Sequence, residues 1–250
     1  MVERRGRRND RRPRAPRKTP QEERFERLEK WHPKTELGRK VKAEEITDIA
    51  QVIEKGQRIL EPEIVDKLLP NLENEFIFIG QAKGKFGGGK RRIFRQTQKK
   101  TKEGNKPIFT VMAVVGNRDG YVGVGIGRAK ETMPAREKAV VAAKMNLIQI
   151  TRGCGSWQCT CGEPHSMPFK TIGRESSVEI KFMPAPKGTG LVIDDEIKKI
   201  FRLAGIKDVW CKTRGQSRQK LNFISACMKA LKQGTRQKVV NCNIKYGAIR

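Results

Sequence analysis

Apolar residues change their spacing along the chain, and each change marks a new kind of element. Between residues 21 and 74 the spacing is helical. Ile46, Ile49, Ala50 and Ile53 recur at helical spacing, with Thr47 and Asp48 near the start. Pro62 opens a second helix carrying Ile64, Val65, Leu68 and Leu69, and Pro70 closes it. Both apolar faces suit a core and carry no chemistry. From Glu75 to Gly127 the pattern turns to strands: "EFIFIGQAK", "RRIFRQTQKK" and "PIFTVMAVV", separated by glycine-rich turns. The segment "GNRDG" (Gly116 to Gly120) signals a turn, and "YVGVGIG" follows it.

In that last strand Gly123, Gly125 and Gly127 fall on one face, and Val122, Val124 and Ile126 on the other. A bare glycine face lets another backbone come close. Either a packed helix or RNA could be that neighbour, and a helix follows at once. Thr132 suits its N-cap and Pro134 its first turn. Ala135, Ala139, Ala142 and Ala143 make a thin stripe for close packing, continued by Leu147 and Ile150. These strands and this helix predict a small α+β unit with one sheet face covered.

A second unit follows a cysteine-rich stretch. Val178, Ile180 and Phe182 alternate with Glu179 and Lys181, as in a half-buried strand. Asp194 and Asp195 start a helix with the face Ile197, Ile200, Phe201 and Ala204, ended by Gly205. "IKDVWCK" reads as a strand, and Leu221, Ile224, Met228 and Leu231 mark a last helix. The order is strand, helix, strand, helix. The fold class is therefore α+β with two domains. The expected organisation is a basic tail (1–20), a helical extension (21–74) and a first domain (75–152, its first helix from about 62). A Cys-rich linker (153–172), a second domain (173–232) and a basic tail (233–250) complete it.

Charge then narrows the function. The formal net charge is +27, and so many like charges need a polyanion to neutralise them. The first twenty residues are rich in Arg and Pro and hold almost no apolar side chains, so they predict a disordered arm. No apolar run approaches the roughly 18 residues of a membrane span, and the Arg-rich start leads into no secretory h-region. The expected setting is soluble and cytoplasmic, the expected partner nucleic acid rather than membrane. With three Trp and two Tyr, base stacking is secondary to Lys and Arg on phosphate.

The stretch "AKGKFGGGKRRIF" tests one enzymatic alternative. Gly84, Gly89 and Lys90 fit the first places of the phosphate loop G-x-x-x-x-G-K. That loop also needs a Ser or Thr after its Lys and a helix behind it. Arg91 holds the Ser/Thr position, and "RRIFRQTQKK" alternates like a strand. What remains is a thin turn, with Gly87, Gly88 and Gly89 at its centre, studded with cations. Lys83, Lys85, Lys90, Arg91, Arg92, Arg95, Lys99 and Lys100 are the candidate RNA contacts there. Further candidates are Arg118 in the "GNRDG" turn, Arg128 and Lys130 after the glycine strand, and Lys187 and Arg214 in the second domain. Two His, and no carboxylate pair or nucleophile triad, leave an enzyme hard to assemble.

Several segments resemble the small-subunit ribosomal protein S-five family: "VVGNRDGYVGVGIGRAKETMPAREKAVVAAKMNLI", "MPAPKGTGLV" and "LAGIKDVWCKTRG". "WHPKTELGRKVK" and "RGCGSW…CGEPHSMPF" look like its archaeal and eukaryotic branch, and the cysteines point to the archaeal side. The resemblance runs over roughly residues 30–232. It implies a first domain with the αβββα fold of double-stranded-RNA-binding domains and a second βαβα domain. It implies a structural role on the small subunit, bound to its rRNA beside the path by which mRNA enters. Neighbouring ribosomal proteins and a contribution to decoding accuracy are implied too. The basic hairpin that penetrates rRNA in such proteins resembles Arg91 to Pro107 here.

Six cysteines are present, and three crowd together. Cys154, Cys159, Cys161 and His165 form C-x4-C-x-C-x3-H, a donor set legitimate for tetrahedral zinc. The alternative is a metal-free loop packed on rRNA. Eukaryotic relatives resembling this chain keep the "PH" without the cysteines, so His165 can equally be an RNA contact or a structural hydrogen-bonder.

Overall fold

The computed structural model describes residues 26, 28–82, 84 and 91–236. The chain divides after His32, and every element named below belongs to the unit that begins at Pro33. The two predicted basic tails, apart from residues 233–236, lie outside the described residues.

Three short helices come first. Helix α1 (Glu36–Lys42) was not apparent from apolar spacing; its signal is the Thr35 hydroxyl, which accepts the Gly38 N–H at 3.0 Å. Helix α2 (Ile49–Glu54) buries Ile49 and Val52, so Val52 rather than Ile46 or Ile53 leads its inner face. Helix α3 (Pro62–Leu68) has Pro62 at its start and buries Ile64 and Val65.

The first sheet holds β1 (Glu73–Phe76), β2 (Phe94–Thr101), β3 (Gly104–Gly116), β4 (Tyr121–Ala129) and β5 (Leu147–Gln149). Strand β4 pairs with one edge of β3, Phe109↔Ala129 through Gly116↔Val122. Both β1 and β2 pair with the opposite edge of β3, at Gly116–Ala113 and Val111–Gly104 respectively. They therefore act as one edge strand interrupted by residues 77–93, and with α3 and helix α4 (Thr132–Met145) they complete the αβββα order. The interruption is itself pinched shut at its base, where Gly80 N–H donates to Arg92 O and Arg92 N–H to Gln81 O.

The glycine face of β4 meets α4. A Cβ on Gly123, Gly125 or Gly127 would lie 2.1–2.2 Å from backbone atoms of Ala143 or Ala135, distances no real Cβ tolerates. Ala135, Ala139 and Ala143 are fully buried against it. Two details differ from the sequence reading. Glu131, not Thr132, is the N-cap residue, and α4 stops at Met145. Leu147 thus leaves the helical stripe and starts β5, which pairs with β4 (Gly123↔Leu147).

The second sheet has the order β6-β7-β9-β8, from β6 (Thr171–Glu175), β7 (Val178–Pro184), β8 (Leu191–Val192) and β9 (Val209–Arg214). Helices α5 (Asp195–Ala204) and α6 (Lys220–Arg236) complete the predicted strand–helix–strand–helix series, to which β6 and the short β8 are additions. Asp194 caps α5 by accepting Glu196 N–H at 3.0 Å, and Gly205 ends it at φ 79°.

The other face of the first sheet is not left to solvent. Helix α5 covers it, so the two domains share one core that runs from Ile77, Met112 and Val122 to Ile197, Ile200 and Phe182. Polar groups fix the joint. Leu203 O and Ala204 O accept the N–H groups of Arg118 and Gly120 at 2.8 and 3.1 Å. The Glu196 carboxylate accepts Phe78 N–H and Lys199 Nζ, and Lys199 Nζ also donates to Phe76 O. Replacing Gly125 by Val should cost about 2–3 kcal/mol or more, read as a lowered denaturation midpoint. Ile126→Val, on the partly exposed opposite face, should move it by no more than about 0.5 kcal/mol.

Candidate nucleic-acid interface and cysteine cluster

Strand β4 ends opposite Phe109, so the β2–β3 ribbon beyond that point has no third strand. Residues 95–100 and 104–108 of this ribbon are exposed on both faces. It gains nothing from a core, and such a ribbon is marginal alone. It carries Arg95, Lys99, Lys100, Lys102 and Lys106, against Glu103, which pairs with Lys106.

At the ribbon's root is an open groove of about 920 Å³. Arg91, Arg92 and Arg95 line it from the first domain and Arg218 from the turn before α6, and its described lining includes no carboxylate. Arg91 Nη1 donates to Arg218 O at 3.2 Å, so the two domains meet in this groove. Arg218 was missed by the sequence reading, because only folding brings it beside the hairpin.

The remaining candidates separate into groups. Lys83, Lys85, Gly87, Gly88, Gly89 and Lys90 lie outside the described residues. Arg92, Arg95, Lys99, Lys100, Arg128, Lys130 and Arg214 are exposed. Arg118 already holds Glu73 through Nε and Nη2 at 3.0 and 2.7 Å. Lys187 holds Glu163 at 2.7 Å, which raises the lysine's pKa and lowers the glutamate's. Downstream of Arg91 the chain forms strand β2, with no helix behind the glycine-rich loop, as the reading against an NTPase expects.

The structure draws the four cysteine-cluster residues together. One donor atom from each of Cys154, Cys159, Cys161 and His165 lies within 4.8 Å of all the others. Cys161 Sγ is 3.7 Å from Cys154 Sγ and 3.2 Å from Cys159 Sγ; Cys159 Sγ is 3.7 Å from His165 Nε2. A tetrahedral zinc with bonds of ordinary length sets S···S at about 3.8 Å and S···N at about 3.6 Å. The Cys154–Cys161 and Cys159–His165 separations match these, and only the Cys159–Cys161 pair has to open to admit the ion, so the residues present fit it. The opposite ring nitrogen, Nδ1, is 2.8 Å from Asp208 Oδ2. Asp208 is buried, and its Oδ1 accepts the N–H groups of Gly188 and Gly190 at 3.1 and 2.8 Å. The Lys187 backbone N–H, then Cys161, lowers the Cys159 thiol to about 6, whereas burial pushes Cys154 up to about 11. Asp208 was not singled out from sequence, where it lies inside the segment "IKDVWCK" read as a strand; in the structure it precedes the strand, which starts at Val209.

Comparison with known proteins places the chain. The model of the ribosomal protein S5 N-terminal domain matches residues 93–151, and that of the ribosomal protein S5 C-terminal domain matches 173–241. The small ribosomal subunit protein uS5 of Nanoarchaeum equitans is 51% identical over 219 residues, 88% of this chain and 94% of that protein. The uS5 of Methanocaldococcus jannaschii is 47% identical over 82% of this chain and 88% of its own length. For Pyrobaculum islandicum the figures are 49%, 82% and 94%.

The chain belongs to the ribosomal protein S5 family. The S5 N-terminal model begins at the root of the basic ribbon and takes in β2 to β5. The S5 C-terminal model takes in β7 to α6, including Asp208 and Arg218. Between them lie residues 152–172, with the cysteine cluster, which neither S5 model covers. Asp208→Ala would remove three hydrogen bonds from a buried position. It should lower the stability of the fold by about 3 kcal/mol, measured by chemical denaturation.

Proposed function

We propose that this chain holds small-subunit rRNA through the exposed β2–β3 ribbon and the arginine groove at its root. Family membership makes it a structural protein of the small ribosomal subunit, not an enzyme. The observation that carries the RNA reading is the groove in which Arg91, Arg92, Arg95 and Arg218 converge with no carboxylate among the described lining residues. Four arginines lining one groove with no described carboxylate attract phosphate, which each guanidinium can grip in bidentate fashion. A two-stranded ribbon without a core fits the same role: it can enter a folded RNA because nothing flanks it. Recognition of this kind follows shape and phosphate position more than base identity.

From the family resemblance we further propose that the protein lies near the path by which mRNA enters the subunit, among neighbouring small-subunit proteins, with a part in decoding accuracy. Photo-crosslinking from position 92 in assembled subunits tests the location: rRNA and incoming mRNA should be captured, and capture of neither would refute it.

Binding of the full chain to small-subunit rRNA across a salt series tests the groove. Arg91→Ala, Arg92→Ala, Arg95→Ala and Arg218→Ala should each weaken binding and flatten the slope of log K against log salt by about one unit. Slopes that stay as in the unmodified chain would remove the groove from the interface.

A further inference from the structure

We propose that Cys154, Cys159, Cys161 and His165 form a structural zinc site that clasps the linker onto the second domain, with Asp208 as the positioning carboxylate behind His165. The proposal is independent of the RNA reading.

The loop from Cys154 to His165 needs something to hold it. Its base is closed by the Gly153–Ser166 backbone pair, with both N–H···O bonds at 2.9 Å. Within the loop, Trp157 is fully exposed and the only large apolar side chain, so no hydrophobic anchor is available. Cys161 is exposed and Cys154 and Cys159 are half-buried, unlike Cys227, which is packed in the core as a small apolar group. Three partly exposed thiols converging on one point do not serve packing. Segments too small to build a core are held by cross-links, and a metal is one of the few that four such donors can make.

The donor set selects the ion and its role. Thiolate and imidazole donors at tetrahedral spacing suit zinc, and three sulfurs with one nitrogen fill all four positions. No position remains for water or substrate, so the site holds structure and does no chemistry. Three thiolates around a divalent ion leave one negative charge on the site. His165 is already oriented for the task. Its Nδ1 is taken by Asp208, which leaves Nε2 on the side of the sulfurs. A carboxylate behind a metal-binding imidazole is the usual second partner, fixing the tautomer and raising the basicity of the other nitrogen.

The clasp reaches into the second domain by two routes. His165 O accepts the N–H groups of Lys207 and Asp208 at 2.9 and 3.1 Å, at the start of β9. Through Asp208 Oδ1 the same histidine is tied to Gly188 and Gly190, in the loop before β8. A zinc ion at the four donors would therefore lock loop 154–165, the 187–190 loop and the edge of the second sheet into one piece.

The test uses the full chain without an affinity tag. Elemental analysis should find one zinc per chain, and cobalt added to reduced, metal-stripped protein should give thiolate charge-transfer bands and the visible bands of a tetrahedral ion. Cys161→Ser should lose both signals, and Cys211→Ser should keep them. Asp208→Asn keeps the Oδ1 acceptor and hence the fold; it should weaken zinc about 10- to 100-fold in competition with a chelating dye. Hydrogen exchange over residues 153–166 should rise on metal removal, with β3 unchanged. Metal at trace level with no cobalt spectrum, or a Cys159–Cys161 disulfide in protein kept reduced, would overturn the site. Unaltered zinc affinity in Asp208→Asn would overturn the positioning role, and unaltered exchange the clasp.

Discussion

One ten-residue helix, α5, is shared by two sheets, and the arrangement of everything else depends on that sharing. Phe201 packs edge-on against Phe182 of the second sheet, with ring centroids 4.9 Å apart. On its other side, Leu203 lies so close to Gly116 of the first sheet that a Cβ there would meet its carbonyl oxygen at 2.6 Å. A helix apolar on both sides has to be buried on both sides. The buried Glu196–Lys199 pair then spends its remaining hydrogen-bonding capacity on the backbone of Phe76 and Phe78. Because α5 packs against both sheets, Arg91 of the first domain and Arg218 of the second line one groove.

The acidic residues show how the charge is divided. Many of those described act as internal ties: Asp66 with Lys144, Asp194 with Lys220, Glu73 with Arg118, and Glu196 with Lys199. Those pairs hold helices and turns to their neighbours. Ion pairs at exposed positions contribute little to stability, so the more buried of these carry most of the benefit. The consequence lies at the hairpin's root, where four arginines line the groove and its described lining holds no carboxylate. Phosphate can supply what the protein withholds there.

Local chemistry made part of this legible in the sequence. The alternation of glycines in β4 and the alanines of α4 specified each other, since a face without Cβ atoms demands a thin partner. The limits of α5 followed from Asp194 and Gly205, whose capping is decided within a few residues. The four-donor cluster was legible because its members lie within twelve residues of one another. Features set by distant contacts were not. Leu147 continued a helical stripe in one dimension, yet pairing with Gly123 drew it into β5. The second cover on the first sheet, Arg218 beside Arg91, and Asp208 behind His165 all join residues far apart in sequence, and no local pattern encodes them.

The account stands on the claim that both sheets and α5 form one cooperative body. Scanning calorimetry of the full chain tests it most directly. One transition, with calorimetric and van't Hoff enthalpies equal, is the predicted result. Two resolved transitions, or a van't Hoff enthalpy well below the calorimetric one, would mean that the domains unfold apart and that α5 does not bind them into one platform.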